Sequence, residues 1–520
     1  MKFPYSILTT LCTSFLIAIQ SSCAQPVSTP EAKISVDISA YKWLMPQYNM
    51  IQFYSRSAFD KFHNRWKNAS TKRVNILMLG DSHLQGDVYP GQLRKRIHKT
   101  LGDAGRGLMF AFSTAKTYSS IEYKTEHLGN WTPQRSIGIA PKLPMGVRGM
   151  TCRTEEDGSM LSFNFNEDVP THYNKLKIFC KRSKSSFDLF VEAGGKTKAV
   201  EIDESNDGLS YVEVELSPIR DKNIKLHVVK KNNYETEFEF YGMSLESNRT
   251  HGAIIHNAGV GAARYNSILY QSLFEQQLPD FDASLVIIDF GTNDYIATDE
   301  ITPDIEKDVR KVIDVVKKGA PNASILLTTT QDLFWKGRNC QAGETFSDFI
   351  HKVAAEKDCA VFDWYWISGA QGTMKTWQQY KLAQGDLIHL TQSGYELKGN
   401  LLFDAIVSTI GFMDKNPQAT SLVLSTDELR ADQMAIRNRT KNTKVVPVSN
   451  NSTAANTRSV ANTNAKTQNG KKQITHTVAT GETLGVIARK HKVSTSEIAK
   501  WNNLANPNKL KQGQKLIIYK

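Results

Sequence analysis

The run Val74-Asn75-Ile76-Leu77-Met78-Leu79-Gly80 is almost wholly apolar and stops abruptly at Asp81-Ser82-His83. A short apolar stretch bounded by glycine reads as a central strand buried on both faces, and such strands belong to parallel sheets covered by helices. The turn that follows then lies at the carboxyl end of the sheet, where open α/β folds place their ligands. A serine there is either the N-cap of the next helix or a nucleophile.

A serine hydroxyl needs a base to take its proton and usually a carboxylate to orient that base. Of 12 histidines, His389 stands out in Gly385-Asp386-Leu387-Ile388-His389, just before a helical pattern over 395–410. The i, i+3 spacing lets Asp386 and His389 share one side of a turn. His83 is adjacent to Ser82, and consecutive side chains diverge, which disfavours it as the base. Donors for a developing oxyanion are offered at two more strand ends, Asn257-Ala258-Gly259 and Gly291-Thr292-Asn293-Asp294.

Gly-Asp-Ser, Asn-x-Gly, Gly-x-Asn-Asp and Asp-x-x-His in that order resemble the SGNH (GDSL-type) hydrolase family. The resemblance implies Ser82 as nucleophile, Asp386 and His389 as its triad partners, and Ser82, Gly259 and Asn293 as the oxyanion hole. It implies no metal and no cofactor. Gly-Asp-Ser-His-Leu-Gln is similar to a subgroup of bacterial envelope esterases, with His83 where the GDSL type has Leu. Ala262 stands where many members carry another glycine.

A chain of 520 residues exceeds one core and predicts several domains. Residues 1–24 read as a signal peptide, with Lys2 as the charged end and an apolar stretch too short to span a bilayer comfortably. Cleavage after Ala24 and lipidation of Cys23 are both open, and the latter would make the chain an envelope lipoprotein. Six cysteines leave Cys23 odd once Cys12 departs with the signal. In an oxidising compartment Cys152–Cys180 and Cys340–Cys359 are candidate disulfides, and four buried free thiols are the alternative.

Strands at 253–257, 285–290, 324–329 and 359–363 alternate with helices such as 304–318 and, with the Val74 run, predict a five-stranded parallel sheet, the flavodoxin-like arrangement the resemblance implies. Its two parts are residues 41–104 and 251–415, the first opening with a helix around Phe59, Phe62 and Trp66 and closing with another over 89–101. Between them, residues 105–250 alternate in short β-rich runs at 159–165, 175–181, 187–192, 198–202, 211–216, 224–229 and 235–244, which predicts an inserted β-sandwich. In position and size it resembles the carbohydrate-binding-type insert of some peptidoglycan O-acetylesterases. Tyr118, Tyr123 and Trp131 can stack on sugar rings or simply pack.

Residues 431–473 lack the apolar content to order themselves and read as a disordered basic linker. Residues 474–520 recover a strand, two helices and a strand, and resemble a lysin-motif (LysM) domain. That resemblance implies binding to GlcNAc-containing glycans of peptidoglycan or chitin, with Gly481, Thr483, Leu484, Asn506, Pro507 and Leu510 flanking the sugar groove. Residues 431–520 hold 16 Lys and Arg against 3 Asp and Glu, so this segment carries the whole excess of the +12 net charge. In an exported chain, anions of the envelope are better partners for it than nucleic acid.

The expectation is an exported envelope esterase that removes O-acetyl groups from peptidoglycan. The alternatives are an O-acyltransferase, a wall-binding protein with little esterase activity, or an esterase of other acetylated polysaccharides. Membrane contact is expected only through a lipid on Cys23.

Overall fold

The computed structural model describes residues 32–442 apart from 205–207 and 220, together with the C-terminal elements given below. Contacts divide the chain into two units, with the boundary after residue 448. The signal segment and Cys23 lie outside the described residues.

In chain order the first unit begins with β1 (Ile51–Phe53), the helix Ser57–Lys67, β2 (Val74–Gly80), the short helix Ser82–Gln85, the helix Val88–Leu101 and β3 (Asp103–Met109). Ten strands follow: β4 (Tyr123–Leu128), β5 (Thr132–Arg135), β6 (Met150–Thr154), β7 (Met160–Phe165), β8 (Lys175–Cys180), β9 (Asp188–Ala193), β10 (Lys196–Val200), β11 (Tyr211–Glu215), β12 (Asn223–Val229) and β13 (Phe238–Glu246). The chain then returns through β14 (Ala253–Gly259), β15 (Leu285–Asp289), β16 (Ser324–Thr328), the hairpin β17 (Phe334–Trp335) and β18 (Arg338–Asn339), and β19 (Ala360–Phe362).

All seven residues of β2 are buried. It lies between β14 and β15, parallel to both, with Gly80 level with Gly259 on one side and Asp289 on the other. β15, β16 and β19 continue in parallel, and β1 closes the edge antiparallel to β19. Alternation along β2 feeds two cores. Val74, Ile76 and Met78 pack with Phe59, Phe62, Leu93, Ile97 and Leu401, whereas Leu77 and Leu79 pack with Val309, Val312, Ile313 and Phe346. A run apolar on both faces is what this two-sided cover demands.

The five expected strands are present and parallel, but they do not end the sheet. β3 pairs with β14 in parallel and with β13 antiparallel, and β13 carries β6 and β8, with β5 and β11 outside them. The sheet is therefore mixed and twelve-stranded. This corrects the separate inserted β-sandwich. Only one layer of the insert is its own, the antiparallel sheet β10-β9-β12-β7-β4. It packs on the extended main sheet through Tyr123, Phe163, Phe110 and Phe240.

The candidate disulfides are also corrected, because Cys152, Cys180, Cys340 and Cys359 are free and buried. Cys152 on β6 and Cys180 on β8 are both register partners of Phe240, from opposite sides of β13. Two strand spacings, roughly 9–10 Å, separate them, beyond the about 7 Å that a disulfide bridges.

Part of the expected linker is ordered as well. Thr426–Asn442 is a helix that seats Leu429 against Met45, Trp366 and Leu424 and donates from Arg437 to the Gln371 carbonyl at 2.7 Å. Residues 443–466 lie outside the described residues.

In the second unit, Lys471–Thr477 pairs antiparallel with Lys515–Tyr519 around the helices Leu484–His491 and Thr495–Trp501. Val478, Leu484, Ile487, Ala488, Ile498, Leu516 and Ile518 form its core. This is the expected βααβ order. Leu484 is thus a core residue rather than a groove contact, and Leu510 is half-buried against that core. Gly481, Thr483, Asn506 and Pro507 lie outside the described residues.

Candidate active site

Gly80 ends β2 because nothing larger fits there, since a Cβ would stand 2.6 Å from the Asp289 carbonyl. Asp81 caps the helix that starts at Ser82, accepting from the His83 N–H at 2.9 Å. Ser82 is thereby held at the sheet's carboxyl end with its hydroxyl pointing away from the ladder.

His389 arrives from the opposite end of the sequence. The Ser82 hydroxyl is 2.8 Å from His389 Nε2, and His389 Nδ1 is 2.7 Å from Asp386 Oδ2. Asp386 Oδ1 also accepts the backbone N–H groups of Ile388 and His389 at 2.9 and 3.0 Å. Burial works to raise the Asp386 pKa, but the imidazole and the two amides together outweigh it and hold the carboxyl below its ordinary value. An ionised Asp386 keeps the proton on Nδ1 and leaves Nε2 free to take one from Ser82.

His83 is turned away from this relay. Its Nδ1 meets the Tyr395 hydroxyl at 2.8 Å and its Nε2 faces Gln331 Nε2 at 3.3 Å. The Trp364 indole N–H, which can only donate, reaches Gln331 Oε1 at 3.2 Å. The amide nitrogen of Gln331 is thereby aimed at His83 and at the Ile388 carbonyl, 2.9 Å away. His83 Nε2 must then accept, so Nδ1 carries the proton and donates to Tyr395. Burial, helped by the neighbouring His389, pushes the His83 pKa far down and keeps the ring neutral. His83 and Gln331 therefore brace the loop that carries the base.

The oxyanion turn departs from expectation at one residue. The Gly259 N–H is already donated to Asn257 Oδ1 at 2.9 Å, Val260 to the Gly80 carbonyl, Gly261 to Gln85 Oε1 and Ala263 to the Val260 carbonyl. Among the described residues, the Ala262 N–H is the amide of this turn that meets no acceptor. Ala262 sits at φ +68°, a left-handed conformation that a side chain enters at some cost and that glycine enters freely. The free donor in this turn is therefore Ala262, not Gly259. The Ser82 N–H also lacks an acceptor among the described residues. Asn293 Nδ2 lies at the same turn, 3.2 Å from Asp81 Oδ2 and 3.0 Å from the Ala263 carbonyl.

Beneath the site, Lys398 Nζ meets Asp289 Oδ2 at 2.8 Å, both buried, and Tyr89 donates to the same carboxylate. Burial and then the Asp289 charge raise the Asp81 pKa well above the ordinary carboxylate range. A cavity of about 520 Å³ lies elsewhere, between the helix Val88–Leu101 and the segment 165–170. The triad is absent from its lining, so the relay and not cavity size marks the site.

A wall of the cleft comes from the β-rich insert; sequence reasoning named Tyr118 as an aromatic that could meet a sugar but missed the arginines of this wall. Tyr118 donates from its hydroxyl to the Ser82 carbonyl at 3.1 Å, and Arg135 Nη2 donates to the Gly261 carbonyl at 2.6 Å. Behind the turn, buried Arg148 donates to the Gly259 carbonyl at 2.8 Å and stacks over Phe112. Burial lowers its pKa to about 10, which leaves it charged at neutral pH. The signal in the sequence was faint, two arginines and a tyrosine spread over 30 residues.

A strand-end serine relayed through histidine to aspartate, with free amides beside it, defines a serine acylhydrolase of the α/β type. Comparison with known proteins agrees. Residues 238–397 match the GDSL-like Lipase/Acylhydrolase family and residues 476–518 match the LysM domain. The chain thus carries a GDSL-like (SGNH) lipase/acylhydrolase domain and a C-terminal LysM domain, and it is a carboxylic ester hydrolase. The family match starts after the nucleophile strand, which the insert separates from the other motifs, so Ser82 is joined to the site by geometry alone.

No curated protein matches the chain in sequence. Among solved structures it is similar in fold to a peptidoglycan O-acetylesterase, at 19% identity and a TM-score of 0.57 over 70% of this chain and 99% of that one. A family two carbohydrate esterase from Cellvibrio japonicus aligns at 10% identity and a TM-score of 0.24 over 56% of this chain and 99% of that one. A lipase/acylhydrolase from Enterococcus faecalis aligns at 22% identity and a TM-score of 0.25 over 30% and 76%. These last two scores are too low to bear on the argument.

Proposed function

We propose that this protein is an exported esterase that removes O-acetyl groups from peptidoglycan or a related cell-wall glycan, with the LysM domain holding the enzyme on its substrate. The observation that carries the chemistry is the 2.8 and 2.7 Å relay from Ser82 through His389 to Asp386. The LysM match and the fold shared with a peptidoglycan O-acetylesterase support the choice of glycan. The apolar N-terminal segment 1–24 supports export to the periplasm or cell envelope.

In this reading Ser82 Oγ attacks the acetyl carbonyl while His389 Nε2 takes its proton. The oxyanion is met by the Ser82 and Ala262 N–H groups and by Asn293 once its amide turns from Asp81. Protonated His389 then gives its proton to the departing sugar hydroxyl, leaving acetyl-Ser82. A water molecule, deprotonated by His389, attacks that ester and releases acetate and free Ser82.

The test is acetate release from O-acetylated peptidoglycan, acetylated xylan and a small soluble acetyl ester. Faster release from peptidoglycan per acetyl group is the expected result. Release from xylan alone would sink the choice of glycan, and acetyl transfer to an added glycan without free acetate would make the protein an acyltransferase.

A further inference from the structure

Arg135 stands at the end of β5, beside the nucleophile, with a charge that no described residue answers. Among the described residues no carboxylate lies within ion-pair distance of it. One of its five N–H donors reaches the Gly261 carbonyl, and its Nε is shut from solvent with no partner. A half-buried cation left in this state has given up part of its hydration and gained no counter-charge in return. Buried Arg148, behind the turn, shares this lack of an ion pair, but other arginines of the protein are treated differently. Arg94 and Arg106, for example, both lie against Asp87 and Glu122.

The surroundings of Arg135 are those of a binding surface. A Cβ on Gly261 would stand 3.4 Å from Arg135 Nη2 and 3.5 Å from the Tyr118 hydroxyl, so the two side chains converge on the oxyanion turn. Tyr118 is 49% exposed while its hydroxyl is fixed on the Ser82 carbonyl. Just past Arg135, Ile137 and Ile139 are exposed, the latter at 84%. An aromatic face and an unanswered cation thus lie together at the oxyanion turn, both carried by the insert.

We propose that Arg135 and Tyr118 form a subsite for an acidic sugar, Tyr118 taking the face of the ring that bears the acetyl ester and Arg135 taking a carboxylate on that sugar, free where no peptide is joined to it. This rests on the acetylesterase reading and deepens it. A neutral acetylated polysaccharide leaves Arg135 unanswered, whereas peptidoglycan supplies the acid. The insert is then not an accessory binding module but the specificity-determining wall of the cleft.

The experiment reads inhibition of hydrolysis of a small neutral acetyl ester by N-acetylmuramic acid and by its methyl ester, which differ in charge at one carboxyl. Wild-type enzyme should bind the acid about tenfold more tightly than the ester, the effect of one charge-assisted hydrogen bond. In Arg135→Gln that ratio should fall to about one, each variant being compared with its own uninhibited rate. Arg135→Lys should keep part of the ratio, since charge remains while the two-pronged geometry is lost. Tyr118→Ala should weaken acid and ester equally.

Equal affinity for acid and ester in the wild type, or a ratio that survives in Arg135→Gln, overturns the proposal. Should Arg135→Gln prove insoluble, the wild-type ratio and Arg135→Lys decide it. The readout uses a soluble ester, so failure to release acetate from peptidoglycan would overturn the proposed substrate and leave this ratio readable.

Discussion

Ser82 owes its reactivity to one hydrogen bond of 2.8 Å, and everything else at the site arranges that bond. Ser82→Ala removes the atom placed to carry the acyl group. Turnover of a small ester should fall by several powers of ten while glycan binding persists, and retention of more than about a tenth of activity would refute the assignment. Asp386→Asn loses the ionised carboxylate that fixes the His389 proton on Nδ1. Steady-state kinetics should show kcat falling far more than KM changes. Asp294 makes a different prediction. It is half-buried and accepts the N–H groups of Tyr265 and Gly291, and desolvation raises its pKa to about 7. Its unfolded value is about 3.9, so the folded state binds more protons between roughly pH 4 and 7, and stability contributed here falls as pH rises through that window. Asp294→Asn should therefore shrink the loss of melting temperature between pH 5 and pH 8. An unchanged difference would count against a raised Asp294.

At the scale of the element, the strand end is where tolerance is least. Gly80→Ala would press a methyl group against the Asp289 carbonyl and the Leu84 side chain, at a cost of about 1–3 kcal/mol in folding stability by chemical denaturation. The parallel strands were legible because burial on both faces leaves an unbroken apolar run, as in Leu285-Val286-Ile287-Ile288. The helix expected over 304–318 is Pro303–Gly319, capped by the Thr302 side chain and burying Val309, Val312, Ile313 and Val316 at helical spacing. β3, β5 and β6 were not legible. Asp103–Met109 holds two glycines and an arginine, and Thr132–Arg135 has no apolar side chain but a proline, so partner strands and not local pattern make them β. Ala262 was hidden for a related reason, since which amide of a turn stays free depends on Asn257 and Gln85, which satisfy its neighbours.

For the whole molecule, the position of the C-terminal boundary decides how the LysM domain can be tested. A cut at 431 would split the helix Thr426–Asn442, which is docked on the hydrolase, whereas a cut after 448 follows the boundary between the units. Removing 449–520 should leave kcat/KM on a small ester unchanged and reduce activity on insoluble sacculi, most at low enzyme concentration. The segment is also strongly basic, so the comparison belongs at low and at high salt, where screening to a few ångströms removes charge effects but not a sugar groove. Equal activity of both forms on sacculi at both salts would refute the targeting role.

The ladder that runs from β1 through β2 and β14 to β3, β13, β6 and β5 has a mechanical meaning. A module hung on two flexible crossings can melt, be trimmed by a protease or be exchanged for another without disturbing its host. Here the wall that carries Arg135 and the strand that carries Ser82 are rungs of one ladder. Tension applied at one is borne by the other, and heating the first unit should give a single calorimetric transition, with no earlier step for the insert.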